Sequence, residues 1–248
     1  MKCNFTYAHY GYILKNAKES YEFITYNNIA SLNDSKKIIL LRHDIDMDIF
    51  NALDMARIEN ELGIKSTYFI FLRSPFYNIF DADVKKIINE IIDRDHEIGL
   101  HFDETSYENL SFNSFEKTIK NEAEVLNKEF GVDVKVVSFH RPSDSTKENK
   151  IKLKNFKSTY DPIFFKQIKY LSDSRQFWKF GCPCRLIAEG ERKLQILVHP
   201  VWWGIEDMPR EKRLNAFVNK IKDKSFSGFT NHTDFIKTEK DIRKIREA

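Results

Sequence analysis

The stretch Leu40-Leu41-Arg42-His43-Asp44-Ile45-Asp46 is an apolar run that ends in two carboxylates one residue apart, with a histidine beside them. In an extended segment side chains alternate, so Asp44 and Asp46 share one face and Ile45 takes the other. At the carboxyl end of a central parallel strand both would project into the crevice where such folds place their ligands. Like charges that close share either a proton or a cation, which makes the pair a candidate metal or acid–base site. The competing reading is a helix cap, because Asp is favoured at the N-cap and in the first turn. These residues alone leave both readings open.

Polar residues recur in the same setting further along. His101 and Asp103 follow a short apolar strand pattern, His140 and Arg141 follow another, and His199 closes a third. Asp and His are suitable ligands for a divalent ion that keeps a position open for water. A single such His reads as a hydrogen-bonded structural residue, but recurrence at successive strand ends points to one shared site.

Such residues must be carried by alternating elements, and the period switches accordingly. Strand patterns at 37–42, 65–72, 97–101 and 134–139 alternate with helical patterns at 49–62, 83–94 and 115–130, two of them closed by Gly63 and Gly131. An opening helix is expected over 8–30. Beyond Pro142 short segments fall at 158–161, 168–171, 185–188 and 194–199, followed by a helix at 209–222, a turn at His232 and a charged solvated helix at 237–246. Regular β/α spacing without a linker predicts a single barrel-like α/β domain over 1–248, with its motif-bearing core at 37–204 and a helical extension at 1–36.

A chain of 248 residues that is 42% hydrophobic can bury a sizeable core without staples. Its 40 Lys and Arg against 37 Asp and Glu are scattered, which argues against nucleic acid and for a small or neutral partner. Cys3, Cys182 and Cys184 form an odd set whose Cys-Pro-Cys lacks a second ligand pair, so they read as reduced thiols. No signal-peptide or membrane-spanning pattern is present, and a cytoplasmic location is the expectation.

The motifs carry a resemblance. His43-Asp44-Ile45-Asp46 with its following helix and the strand Ser66-Thr67-Tyr68-Phe69 resembles the opening of the polysaccharide deacetylase superfamily, carbohydrate esterase family four. His96-Glu97-Ile98-Gly99-Leu100-His101 is similar to its second motif, Phe139-His140-Arg141-Pro142-Ser143 to its third, and Ile196-Leu197-Val198-His199-Pro200 to its last, in the right order over residues 37–204.

That resemblance implies a distorted (β/α) barrel of about seven strands and the hydrolytic removal of an N-acetyl group from a sugar. Asp44 would be the general base, oriented by Arg141, and His199 the general acid, supported by Asp173. Asp46 and His101 would hold a divalent metal, most simply zinc. Trp178 would line the acyl pocket, and Trp202 and Trp203 would offer a sugar-stacking platform, core packing being the alternative. Backbone N–H groups after Arg141 would help hold the oxyanion. The family's further His, four residues beyond His101, is here Thr105, so the third ligand falls to Asp103, His140 or His43. The substrate class implied is an N-acetylated sugar, nucleotide sugar or oligosaccharide in surface-polysaccharide assembly, such as capsule or O-antigen. Alternatives are a deformylase or amidase on the same scaffold, or a non-catalytic sugar-binding relative.

Overall fold

The computed structural model describes residues 3–29, 36–108 and 110–231, and separates into two compact units, 1–207 and 208–248. The first unit opens with helix α1 (Tyr7–Lys18), N-capped by the Thr6 side chain, followed by strand β1 (Glu22–Ile24). The helix expected over 8–30 therefore stops early. Thr25 to Ile29 are turn and loop, and the three residues of β1 pair in parallel with Ile38 to Leu40.

The alternation expected from the sequence is present: β2 (Ile38–Ile45), α2 (Ile49–Glu61), β3 (Thr67–Ile70), α3 (Ala82–Ile92), β4 (Glu97–Phe102), α4 (Phe112–Phe130) and β5 (Val136–Phe139). Gly63 and Gly131 take left-handed backbone conformations at φ of 62° and 66°, which explains why α2 and α4 end there. Shorter elements follow: α5 (Asp144–Lys147), β6 (Lys157–Ser158), α6 (Pro162–Phe165), β7 (Lys169–Ser172), α7 (Pro183–Ala188) and β8 (Lys193–Val198). Among the described residues all strands pair in parallel, in the order β6-β5-β4-β3-β2-β8-β7, with β1 sharing one edge of β2 with β3. These seven path strands curl into the distorted (β/α) barrel that the sequence predicts.

Alternation along β2 divides its side chains. Ile39, Leu41 and Ile45 pack outward with α1 and α2, while Ile38 and Leu40 pack inward with Tyr26, Phe69, Val136 and Phe164. Gly99 belongs to the inward set, and a Cβ there would lie 2.5 Å from the Phe69 ring, so the strand crossing leaves no room for a side chain.

The second unit contains α8 (Arg210–Asn231), longer than the 209–222 helix expected. His232 and the 237–246 segment lie outside the described residues. No described helix is long and apolar enough to cross a membrane.

Candidate active site

The inward residues at the carboxyl ends of β2, β4, β5 and β8 converge. Asp46, just past β2, is the focus: its Oδ1 lies 2.8 Å from His101 Nε2 and 2.9 Å from His140 Nδ1. Burial opposes the charge of Asp46, yet the hydrogen bonds from His101 and His140 hold its carboxyl well below the usual carboxylate range. The three donor atoms lie within 4.8 Å of one another, a spacing that fits one metal ion.

Neighbouring groups fix both rings. His101 Nδ1 is 2.6 Å from Ser138 Oγ on β5, and His140 stacks on Phe71 at 4.6 Å between centroids. The backbone that carries Asp46 is held from the segment after β3, where Ser74 donates to its carbonyl at 2.8 Å and Tyr77 to that of Ile45 at 2.8 Å. Two imidazoles aimed at one carboxylate oxygen must both be donors, or a cation must stand between all three. That donor set fits a divalent ion.

The cap reading of the aspartates gives way to a different residue. Asp48 caps α2, accepting from the backbone N–H groups of Phe50 and Asn51 at 3.1 Å each, which leaves Asp44 and Asp46 for the site. Asp44 is 3% exposed, and Arg42 Nη2 donates to its Oδ2 at 2.8 Å. Its Oδ1 is buried without a hydrogen-bond partner. Arg42 is in turn held by Gln195 Oε1 at 3.1 Å and lies over the Phe69 ring.

Arg141, assigned this clamp by resemblance, is exposed. It follows β5 at the end of the strand, whereas Arg42 sits two residues before Asp44 on the same face. The N–H groups expected after Arg141 are also committed or missing, because Pro142 has none and Ser143 N donates to Glu104 at 3.3 Å.

His199 follows β8. Its Nδ1 is 2.6 Å from Asp173 Oδ1, and its backbone N–H donates to both Asp173 oxygens at 3.1 and 3.0 Å. Burial works against the imidazolium, but the Asp173 charge pushes the His199 pKa up to about 9. Its Nε2 faces Asp46 Oδ2 at 3.8 Å, so the dyad points at the Asp46 group.

Of the three candidates for a third ligand, His140 alone joins Asp46 and His101. Asp103 Oδ1 accepts from Thr105 N and Oγ1 at 2.9 and 2.7 Å and caps the turn at Glu104–Ser106. His43 points outward, stacked on Tyr68 with its Nε2 2.7 Å from Glu59 Oε1.

The tryptophans also depart from the sugar-platform reading. Trp203 is fully buried against Tyr10 and Phe5, and its Nε1 donates to Asp173 Oδ2 at 2.8 Å. Trp178 stacks on Phe5, and both it and Trp202 pack on the outward cluster that α1 covers.

Arg42, Ser138, Phe71 and Trp203 touch the candidate site residues, and motif reading missed or misassigned them. For Arg42 the signal was available, since strand alternation alone places it beside Asp44.

The fold and site together define a parallel α/β barrel with an Asp-His-His group and a His-Asp dyad at its carboxyl face. No family model and no curated protein matches the chain. Among solved structures it is similar to a variant, with restored enzymatic activity, of a carbohydrate esterase family 4 pseudoenzyme from Bacillus anthracis, at 14% identity and a TM-score of 0.43. That match covers 78% of this chain and 65% of the other, so the chain spans less than two thirds of that relative. A family 4 carbohydrate esterase from Bacillus anthracis matches at 16% identity over 90% of each chain, with a TM-score of 0.45. A family 4 acetyl xylan esterase from Clostridium thermocellum, in complex with a cobalt ion, matches at 18% identity over 76% of this chain and 85% of that one, with a TM-score of 0.46. At these scores the likeness assigns no activity to this chain.

Proposed function

We propose that this protein is a metal-dependent hydrolase that removes an N-acetyl group from a sugar. The observation that carries the reading is the convergence of Asp46, His101 and His140 beside two separately supported proton-transfer groups, Asp44 with Arg42 and His199 with Asp173. An amide resists hydrolysis because its carbonyl is weakly electrophilic and its amine leaves badly, and this arrangement addresses both obstacles.

A divalent ion, zinc in this reading, held by Asp46, His101 and His140 would polarise the amide carbonyl and acidify a water. Asp44, held in place by the Arg42 guanidinium, takes a proton from the attacking water through its unpartnered Oδ1. His199, protonated and oriented by Asp173, gives its Nε2 proton to the departing nitrogen. The C–N bond breaks, and acetate and a free amine leave. His140 in place of a ligand at Thr105 supports an enzyme over a non-catalytic sugar-binding relative. The sugar setting, an N-acetylated oligosaccharide or nucleotide sugar in surface-polysaccharide assembly, rests on the motif resemblance.

The test is release of acetate from a panel of N-acetylated oligosaccharides and nucleotide sugars by metal-loaded protein. Turnover that disappears in Asp44→Asn and His199→Ala, and on chelation, supports the reading. Formate release in place of acetate identifies a deformylase instead, and metal-loaded protein silent across the panel overturns the hydrolase.

A further inference from the structure

We propose that Cys3, His9, Cys182 and Cys184 form a second, structural metal site of the zinc class, on the far side of the sheet from Asp46. The sequence reading treats the three cysteines as plain thiols, because Cys182-Pro183-Cys184 has no second pair at short spacing. The fold supplies one from the other end of the chain. Cys3 precedes α1 and His9 lies in its first turn, while Cys182 and Cys184 flank Pro183 where α7 begins.

The four donor atoms lie within 4.8 Å of one another. Cys3 Sγ is 3.4 Å from Cys184 Sγ, and His9 Nε2 is 3.3 Å from Cys182 Sγ. A tetrahedral zinc ion with ordinary Zn–S and Zn–N bonds sets edges of about 3.8 Å between sulfurs and about 3.6 Å between sulfur and nitrogen. The observed separations fall just inside those edges, and they lie far outside the ~2.05 Å of a disulfide. All three cysteines are free thiols.

Ordinary packing does not account for the donor set. His9 is 1% exposed, and its Nδ1 is buried with no hydrogen-bond partner, so no other hydrogen bond fixes the ring toward the sulfurs. The backbone N–H groups of Cys184 and Arg185 hydrogen-bond to the Cys182 and Cys184 sulfurs. Three thiolates and one imidazole fill all four positions of a zinc ion, which leaves none for water and marks the site as structural rather than catalytic. Zinc binding would send three thiol protons to solvent.

Its place in the fold gives the site a consequence. It ties residue 3 to residue 184 and so holds Phe5 against Trp178 and Trp203. Trp203 in turn donates to Asp173, the partner of His199.

The test uses the full chain loaded with cobalt or zinc. An Asp46→Ala/His140→Ala variant, which lacks the first site, should retain one tightly held equivalent of metal, and its cobalt form should show thiolate-to-cobalt charge-transfer absorption. Wild-type protein should hold two equivalents with the same absorption. Cys182→Ser should lose one equivalent and the charge-transfer signal. His9→Cys should keep the metal and intensify the signal, which guards against a Cys182 variant that fails to fold. The proposal is overturned by wild-type cobalt protein without thiolate charge transfer, by retention of no metal in the Asp46→Ala/His140→Ala variant, or by a Cys3–Cys184 disulfide found in the native protein by mass spectrometry.

Discussion

Arg42 and Asp44 stand two residues apart on one face of β2, joined at 2.8 Å with both side chains almost wholly buried. A clamp carried by the same strand as its carboxylate needs no loop to close over it.

Removing that clamp leaves a buried carboxylate without its counter-charge. Arg42→Gln should destabilise the fold by about 3 kcal/mol, the usual scale for breaking a buried ion pair from one side. It should also lower kcat/KM by about a hundredfold by compromising the base. Arg141→Ala, at an exposed position, should change either quantity little. Thermal unfolding and steady-state kinetics on the two variants decide which arginine serves Asp44, and equal losses from both would overturn the assignment.

Ser138 reaches the Asp46 group through His101 Nδ1, at 2.6 Å. Ser138→Ala should weaken metal binding at Asp46 by about 10–100-fold, as loss of such supporting hydrogen bonds commonly does. Competition with a chelator measures it. The thiolate-ligated equivalent should keep its affinity in the same titration.

Trp203 separates support from stacking. Trp203→Phe keeps an aromatic ring but deletes the Nε1 donor to Asp173, so kcat should fall by about tenfold while KM stays within about twofold. A rise in KM at constant kcat would instead place the indole against the sugar.

Glu59 makes a prediction about acid stability. It is fully buried and accepts from Tyr10, from Ser66 Oγ at 2.5 Å and from Tyr68 at 3.0 Å, with His43 Nε2 at 2.7 Å. Burial opposes its charge, but the neighbouring His43 and these donors bring its pKa down from 4.5 to about 2. A depressed carboxylate contributes stability above its unfolded value and loses it as the pH falls toward the folded one. Glu59→Gln should therefore cost about 3 kcal/mol at neutral pH, with the gap to wild type closing as the pH falls below about 4.5. His96, held below its ordinary range by burial, adds acid lability of the same sign from about pH 6.5 downward. Denaturant melts across pH 3–7 check the sign, and a gap that widens in acid would sink the account.

Much of this was legible in the amino-acid order. Apolar periodicity, with Gly63 and Gly131 as stops, reveals the β/α alternation, and polar residues at successive strand ends mark the carboxyl face. β1 escaped because Tyr21 and Phe23 extend the helical spacing of α1 past its true end. Local chemistry would have sorted the ligand candidates better than motif matching did: Asp103-Glu104-Thr105 is an Asx-turn pattern, and period-two alternation sends His43 to the face opposite Asp44 and Asp46. The cysteine and histidine cluster was illegible for a different reason. Its halves are separated by most of the chain, and nothing local signals that α1 and α7 meet.

The two faces of β2 each carry a buried polar pair, Arg42 with Asp44 inward and His43 with Glu59 outward. A slide of one residue against β3 or β8 would exchange the two sets. Asp44 would then be thrust among the aliphatic side chains under α2 and His43 into the barrel, each stripped of its partner. The strand is thus keyed like a two-sided lock bit, and misaligned pairings are rejected during folding by electrostatics as well as by hydrophobic mismatch.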